Sequence, residues 1–177
     1  MRGVEVPEQY VGLTFNQALV SQDLGPAYAP ILDALHREIT TLQLHNHNII
    51  ICSPPNHSKT VWAYSCIQHL FRQRVPVCPL LDMLEIARML TECSDTSDWY
   101  EVPYLFAKIP TEVTQTIRSA ILTLVDRRVR RGNSTFFLYE GSWGMLTYDD
   151  KFNTIKSMQG DGSFHTLDVK SFKHKEA

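Results

Sequence analysis

One stretch constrains the fold more than any other: 48-NIIICSPPNHSKTVWAYSCIQHLFRQR-74, where an apolar run, a loop and an amphipathic segment follow without a break. The run 48–52 is short and continuous, the pattern of a strand buried on both faces. Beyond the loop, Val61, Tyr64, Ile67, Leu70 and Phe71 mark one face of a helix predicted to reach about Arg74. A strand that enters a helix in this way can bind phosphate. Consecutive backbone N–H groups wrap the anion at the helix N-terminus, a lysine reaches its outer oxygens, and a Ser/Thr hydroxyl holds Mg²⁺.

The loop 53-SPPNHSKT-60 keeps the length and the Lys59-Thr60 pair such a site needs, but Ser53 and Ser58 stand where glycines are usual. Asn56 is the mildest substitution, because asparagine tolerates the left-handed backbone. A serine at 58, if forced to positive φ, is strained by roughly 1–2 kcal/mol, which weakens binding without forbidding it. The expected nucleotide contacts are Ser53, Asn56, His57, Ser58, Lys59 and Thr60, with Thr60 on Mg²⁺ if a nucleotide binds. The ligand would be ATP or ADP, weakly held. The plainer alternative is an ordinary strand-to-helix turn with Lys59 exposed.

Strand and helix patterns alternate along the rest of the chain. Pro30 can open a helix over 31–43, where Ile31, Leu35, Ile39 and Leu42 recur at helical spacing. A second strand is predicted at 75–81, made irregular by Pro76 and Pro79, followed by a helix over 82–92 and a polar loop at 93–98. A third strand is predicted at 102–109. The helix over 111–132 has Thr111 as its N-cap, a stripe of Val113, Ile117, Ala120, Ile121, Leu124 and Val125, and Gly132 as a left-handed stop. Strand 135–140, a helix near 148–158 and strand 164–169 complete the pattern. Such alternation predicts an α/β fold with a largely parallel sheet and helices on both faces.

At 177 residues the simplest organisation is one domain, with residues 1–44 as lead-in and helix and 45–177 as the core. A net charge of −2 gives no global attraction to nucleic acid, so any such contact needs a local patch. No apolar run is long enough to span a membrane, and the N-terminus lacks a signal-peptide core. Cys52, Cys66, Cys78 and Cys93 are widely spaced and are expected to be reduced and buried, in a cytoplasmic protein.

Taken together, the pieces resemble the ATPase core of the AAA+ helicase loaders of the DnaC/DnaI and IstB type. Residues 6–19, VPEQYVGLTFNQAL, resemble the segment leading into that core, and 48–77 its first strand, phosphate loop, helix and second strand. LVDRRVRRGNSTFFLYEG (124–141) resembles the arginine-rich helix end and the strand carrying the family's sensor residue; GSFHTLDVKSFK (162–173) resembles the closing strand. The resemblance implies a three-layer P-loop NTPase core, AAA+/ASCE-like, with a mainly parallel five-stranded sheet. It also implies contacts with DNA, a replicative helicase, a partner AAA+ ATPase or further copies of the chain.

The departures from that family are as informative. Its third strand should end in acids that position Mg²⁺ and the attacking water, and this one offers Ala107 and Lys108. The sensor strand runs into Glu140-Gly141 instead of an amide, and no arginine stands between Tyr148 and Gly160, where Lys151 and Lys156 are the nearest cations. Glu101, Glu112 and Asp126 could substitute for the missing acids. Phosphoryl transfer is almost entirely positioning and charge stabilisation, so these losses predict little or no ATP turnover. Loaders of this family carry a further N-terminal domain; this sequence opens near the start of the core, so the expectation is a role other than conventional loading.

The one dense basic cluster, 126-DRRVRR-131, can contact a nucleic-acid backbone through Arg127, Arg128, Arg130 and Arg131. Its plainer explanation is a solvated helix end that complements the dipole. His45-Asn46-His47 would place two imidazoles on one face if extended, without a third metal ligand. Trp99-Tyr100 and Ser142-Trp143-Gly144 put aromatics at rims, where exposed rings would anchor a partner.

The leading expectation is therefore a catalytically degenerate AAA+-like protein of DNA replication or of mobile-element or phage biology, acting by binding. Two rivals remain open. One is an active ATPase completed in an oligomer; the other is a protein-interaction pseudo-ATPase that inhibits or caps a replication machine.

Overall fold

Five short strands carry the molecule: β1 Asn48–Ser53, β2 Leu81–Asp82, β3 Tyr104–Ile109, β4 Ser134–Glu140 and β5 Phe164–Asp168. In the computed structural model, which describes residues 6–12, 15, 26–55, 58–92, 97–146 and 164–168, they lie in the order β2-β3-β4-β1-β5. Every pairing is parallel. Parallel neighbours need long crossovers, and helices supply most of them. These are α1 Ala29–Thr40, α2 Ser58–Arg72, α3 Met83–Thr91, the short α4 Ser97–Glu101, α5 Gln115–Val129 and the single turn α6 Trp143–Leu146.

All six residues of β1 are buried, as a strand covered on both faces requires. Ile49 and Ile51 join Tyr104, Phe106, Phe136 and Leu138 under α1 and α2. Ile50 and Cys52 join Leu105, Ala107, Ile109, Phe137 and Tyr139 under α3 and α5. The result is the expected three-layer α/β core. Trp62 of α2 locks the first face. Its ring meets Phe106 and Phe136 edge-on at 5.8 Å each, and its indole N–H donates to Leu32 O at 3.0 Å. Truncating a fully buried Trp of this kind costs about 3–5 kcal/mol.

Several boundaries differ from the sequence expectation, each for a local reason. The buried side of α2 is Trp62, Ala63, Cys66, Ile67 and Leu70, whereas Phe71 is exposed. Tyr64 is covered from outside, where the Tyr10 ring stacks on it at 4.5 Å. Gln68 ties that N-terminal segment down: its amide donates to Tyr10 O (2.8 Å) and accepts from Gly12 N–H (3.0 Å). Packed between sheet and segment, α2 is buried nearly all round, and a one-sided helical pattern does not describe it.

The second strand shrinks to Leu81–Asp82 with one isolated bridge, Val77 to Tyr104. Pro76 and Pro79 have no N–H to give a ladder. The N-cap of α5 is Thr114, whose hydroxyl accepts from Ile117 N–H at 3.3 Å, and Thr111 lies in the bend before it. Gly132 does end the helix, with φ +72° and its N–H on Val129 O at 3.0 Å. Part of the loop expected at 93–98 is the helix α4. The helix expected near 148–158 lies outside the described residues, as does Cys93.

Cys52, Cys66 and Cys78 are buried and form no disulfide among the described residues. Burial pushes the Cys66 thiol well up and carries Cys78 to about 11, where the Arg128 charge opposes and Asp98 assists the shift. Among the described residues no helix is long and apolar enough to cross a membrane.

Candidate functional site at the end of beta strand one

Parallel strands bring all their C-terminal ends to one rim of the sheet. Ser53 closes β1 there, and α2 begins five residues later at Ser58, so the loop spans the sheet end and a helix N-terminus. Asn56 and His57 lie outside the described residues. The others sit inside the fold: Ser53 is 0%, Ser58 5%, Lys59 1% and Thr60 8% exposed. Lys59 is therefore buried, not exposed as the plain-turn alternative expected.

Lys59 turns back into its own loop. Its ammonium donates to Ser53 Oγ and, at 3.1 Å, to Pro54 O, while the Ser53 hydroxyl donates to Pro54 O at 3.0 Å. A glycine at 53 would offer no hydroxyl, so the substitution gives the lysine an internal acceptor. A phosphate must displace that contact, and a hydrogen bond from a charged group has a net value of about 1.5–3 kcal/mol.

Side-chain alternation decides what else faces the loop. Ile49 and Ile51 point to the α2 face, and Ser53 continues that row; Phe136 and Leu138 do likewise, and Glu140 continues theirs. Ser53 and Glu140 are register partners across β1 and β4. On β3, Tyr104 and Phe106 point to the α2 face and Lys108 follows them, whereas Ala107 points to the α5 face. Lys108 pairs with Leu138, which makes Lys108 and Glu140 diagonal neighbours. Both are half-buried, and they form no ion pair with each other among the described residues.

The rim therefore carries a lysine where a Mg²⁺-holding acid would stand. Mg²⁺ takes carboxylate, water and phosphate oxygens; an ammonium cannot ligate it and repels it. Glu140 and Asp82 are carboxylates at the rim, Asp82 in register with Lys108 and Glu140 diagonal to it. Among the described residues no group of three or more His, Cys, Asp or Glu side chains could hold a metal ion. Among the described residues, Ala107 and Lys108 give Thr60 no acid partner on β3.

Two of the candidate replacement acids lie at the opposite end of the strands. Glu101 binds Arg131 at 3.0 Å and Asp126 binds Arg130 at 3.1 Å, both near the N-terminal ends of the strands. Glu112 is exposed in the bend between β3 and α5. Lys151 and Lys156 lie outside the described residues. Gly141, just past Glu140, has a steric role: a Cβ there would stand 2.6–2.9 Å from the Tyr139 ring.

The arginine cluster does not share this rim. It ends α5 beside the start of β4, at the opposite edge of the sheet. Its four members also separate from one another. Arg128 is wholly buried: its guanidinium donates to Thr135 Oγ1 (2.9 Å), Ser134 O (2.6 Å), Pro103 O (3.4 Å) and Trp99 O. Burial draws its pKa down to about 10, with Cys78 opposing, so it remains charged at neutral pH. Its expected contact with a nucleic acid is corrected to a structural role, joining α5 to β4 and to the segment around α4. Arg127, Arg130 and Arg131 are exposed. Arg127 donates to the Tyr100 hydroxyl at 3.1 Å, and both Arg127 and Arg131 lie over the Tyr100 ring, at 5.1 and 5.6 Å. Tyr100 is 5% exposed, which withdraws it as a free rim anchor.

The His45–His47 pair is not extended. Asn46 adopts φ +56°, His47 Nδ1 lies 2.5 Å from His45 O, and the His47 ring stacks on His165 at 5.6 Å. Sequence reasoning passed over Lys108 and Glu140 as site residues. Counting alternation outward from the apolar runs 104–107 and 135–139 would have put both on the face of the loop.

No family model matches this sequence, and no curated protein matches it. Among solved structures, the chain is similar to AMPPCP-bound DnaA from Aquifex aeolicus, with a TM-score of 0.57 at 9% identity. The similarity covers 85% of this chain and 50% of that one, so the chain spans about half the length of that relative. At such identity the likeness carries the fold alone: a three-layer α/β core of the P-loop NTPase kind.

Proposed function

We propose that this chain is a catalytically degenerate AAA+-like protein of DNA replication or of mobile-element or phage biology, working in the cytoplasm by binding and not by ATP turnover. The observation that carries the reading is the rim of the sheet. Lys59 is tethered to Ser53, β3 carries Lys108 and no acid, and Glu101 and Asp126 are engaged at the far edge. Hydrolysis needs an oriented water and stabilised charge, and this arrangement supports neither. A nucleotide is held weakly at Ser53, Ser58, Lys59 and Thr60. The similar DnaA is AMPPCP-bound, which supports nucleotide binding as a property open to this fold.

The working contact is a protein, a partner ATPase or a helicase, ahead of DNA. Two of the three exposed arginines pair with carboxylates, Arg131 with Glu101 and Arg130 with Asp126. Backbone binding to DNA draws its strength from unpaired cations, and these are largely paired. The likeness of this chain to the DnaC/DnaI and IstB type belongs to the same proposal.

The test is ATP turnover with and without single- and double-stranded DNA, wild type beside Lys59→Ala. The expected result is no hydrolysis above the Lys59→Ala background. DNA-stimulated hydrolysis lost in Lys59→Ala would refute the proposal and revive the oligomeric ATPase. DNA affinity is read in the same samples by salt titration. A protein-docking face gives none, whereas three phosphate contacts give a log–log slope of about −3 that Arg127→Glu with Arg131→Glu flattens.

A further inference from the structure

We infer that a second site lies between α1 and α2 and takes a free α-amino acid, its carboxylate at Arg72 and its ammonium at Asp33. The inference is independent of how the loop after β1 is read. The two helices leave a cavity of about 270 Å³ between them, and Phe15 of the N-terminal segment completes its lining. Helical spacing builds the wall. Ser65, Gln68, His69 and Arg72 stand at i, i+3, i+4 and i+7 on α2 and so share one face, while Asp33 and His36 stand three apart on α1. These six are all polar, and among the described residues Phe15 is the one apolar member of the lining. The volume falls just below the range of drug-sized ligand pockets, about 300–1,000 Å³, which points to a small polar molecule.

The charges decide the ligand class. The ionisable groups on the cavity are Asp33, Arg72 and the imidazoles of His36 and His69. Arg72 has no ion pair among the described residues, so it does not meet Asp33 although both line the same cavity. Asp33 meets Arg37 at 3.4 Å, one turn along α1. That contact lies at the surface, with the two side chains 35% and 71% exposed, and pairs of this kind are worth little. The carboxylate can therefore take a second cation. Burial holds the His36 pKa down, with His69 acting in the same direction and Asp33 opposing, so His36 adds no charge at neutral pH. A simple anion in the cavity would sit beside the Asp33 carboxylate, and a simple cation beside the Arg72 guanidinium. A zwitterion sets each of its ends against the opposite charge, and the compact zwitterion is an α-amino acid.

The remaining groups select the side chain. Ser65 Oγ accepts from Phe15 N–H at 3.1 Å and shares a hydrogen bond with His36 Nε2 at 3.0 Å. If Nε2 carries the ring proton, the Ser65 hydroxyl keeps its own proton to donate. If Ser65 donates to Nε2, the ring proton sits on Nδ1. Either way these two residues hold a donor that no protein acceptor takes up among the described residues. Gln68 is committed elsewhere, to Tyr10 O and Gly12 N–H. A short side chain that carries an oxygen meets the leftover donor, whereas a branched apolar one leaves it unmatched.

The experiment is titration of L-serine into the full chain at neutral pH, followed by NMR through the ring signals of His36 and His69. N-acetyl-L-serine lacks the ammonium, L-serinamide lacks the carboxylate, and L-leucine lacks the side-chain oxygen; each is titrated beside it. The expected result is a saturable shift with L-serine, weakened about tenfold or more by either blocked derivative, the scale of one charged hydrogen bond. Arg72→Ala and Asp33→Asn should weaken L-serine by the same factor, and L-leucine should bind less tightly than L-serine. N-acetyl-L-serine binding as tightly as L-serine would make this an anion site, and L-serinamide doing so a cation site; either overturns the inference. L-leucine binding more tightly than L-serine overturns the choice of side chain. The absence of any shift in tens of millimolar L-serine overturns the site altogether. Arg72 is exposed and Asp33 lies at the surface, so neither substitution disturbs the core, and the ligand series needs no variant.

Discussion

Replacing Arg128 with alanine should strongly destabilise this protein. Sequence alone places Arg128 among contacts for nucleic acid, whose loss would leave the fold untouched. The structure buries it completely, with donations to Thr135 Oγ1, Ser134 O, Pro103 O and Trp99 O. Alanine removes the donor and leaves buried acceptors around an empty volume, while relieving the cost of burying a charge. A buried acceptor left unsatisfied costs about 1–3 kcal/mol, so with several left here a total of about 3–5 kcal/mol is expected after relief of the buried charge. For a chain of this size the loss corresponds to about 6–20 °C in melting temperature, at roughly 2–4 °C per kcal/mol. Arg128→Lys keeps the charge but not the planar fork, and should recover only part of the loss. Arg130→Ala is the control: its side chain is 75% exposed and pairs with Asp126 one turn away, a contact of about 0.5 kcal/mol at most. The assay is urea and thermal denaturation followed by circular dichroism. An Arg128→Ala protein that melts within about 2 °C of Arg130→Ala would refute the reasoning.

Away from the arginines, His36 has its pKa lowered, first by burial and then by His69, with Asp33 opposing. The folded state thus binds that proton less readily than the unfolded chain, so the stability is complete above the ordinary value near 6.5 and is lost as pH falls through it towards the folded value. Urea midpoints between pH 7.5 and 5.5 should slope more steeply in wild type than in His36→Gln. Gly141→Ala should destabilise by about 1–3 kcal/mol, because the new methyl meets the Tyr139 ring, and Tyr139→Leu should relieve much of that; paired denaturation curves read both. Thr114→Ala should cost about 1 kcal/mol, as loss of an N-cap does, and Thr111→Ala close to nothing, which thermal melts will separate.

The architecture is legible because the buried strands are written as short apolar runs, 48–52 and 135–139 above all, with amphipathic segments between them. Boundaries are lost where a tertiary partner overrides a local pattern. Thr111 follows Pro110 and reads as a cap, yet the hydroxyl in reach of the free N–H groups belongs to Thr114. Helix α2 reads as one-sided because nothing local announces that Tyr10 and Gly12 will cover its outer face. At the site, the length of the loop and Lys59 are readable, while the tether between Lys59 and Ser53 depends on coordinates. The arginine run misleads most. Its four members are alike in sequence, and only the packing of α5 on β4 decides which one is interior. Arg128 falls in the buried stripe, four residues after Leu124 and three after Val125, and that spacing is the available clue.

The two edges of the sheet have a last consequence. Strands of six residues hold the loop and the arginine face about 17 Å apart at roughly 3.3 Å per residue. That is about twice the screening distance of physiological salt, so exposed charge at one end is almost invisible at the other. An occupant of the loop therefore has no electrical means of instructing whatever docks at the arginines. Any signal between them has to be mechanical, carried by displacement of α2 or α5 against a packed sheet. Failing that, the protein is a two-ended connector whose ends are filled independently.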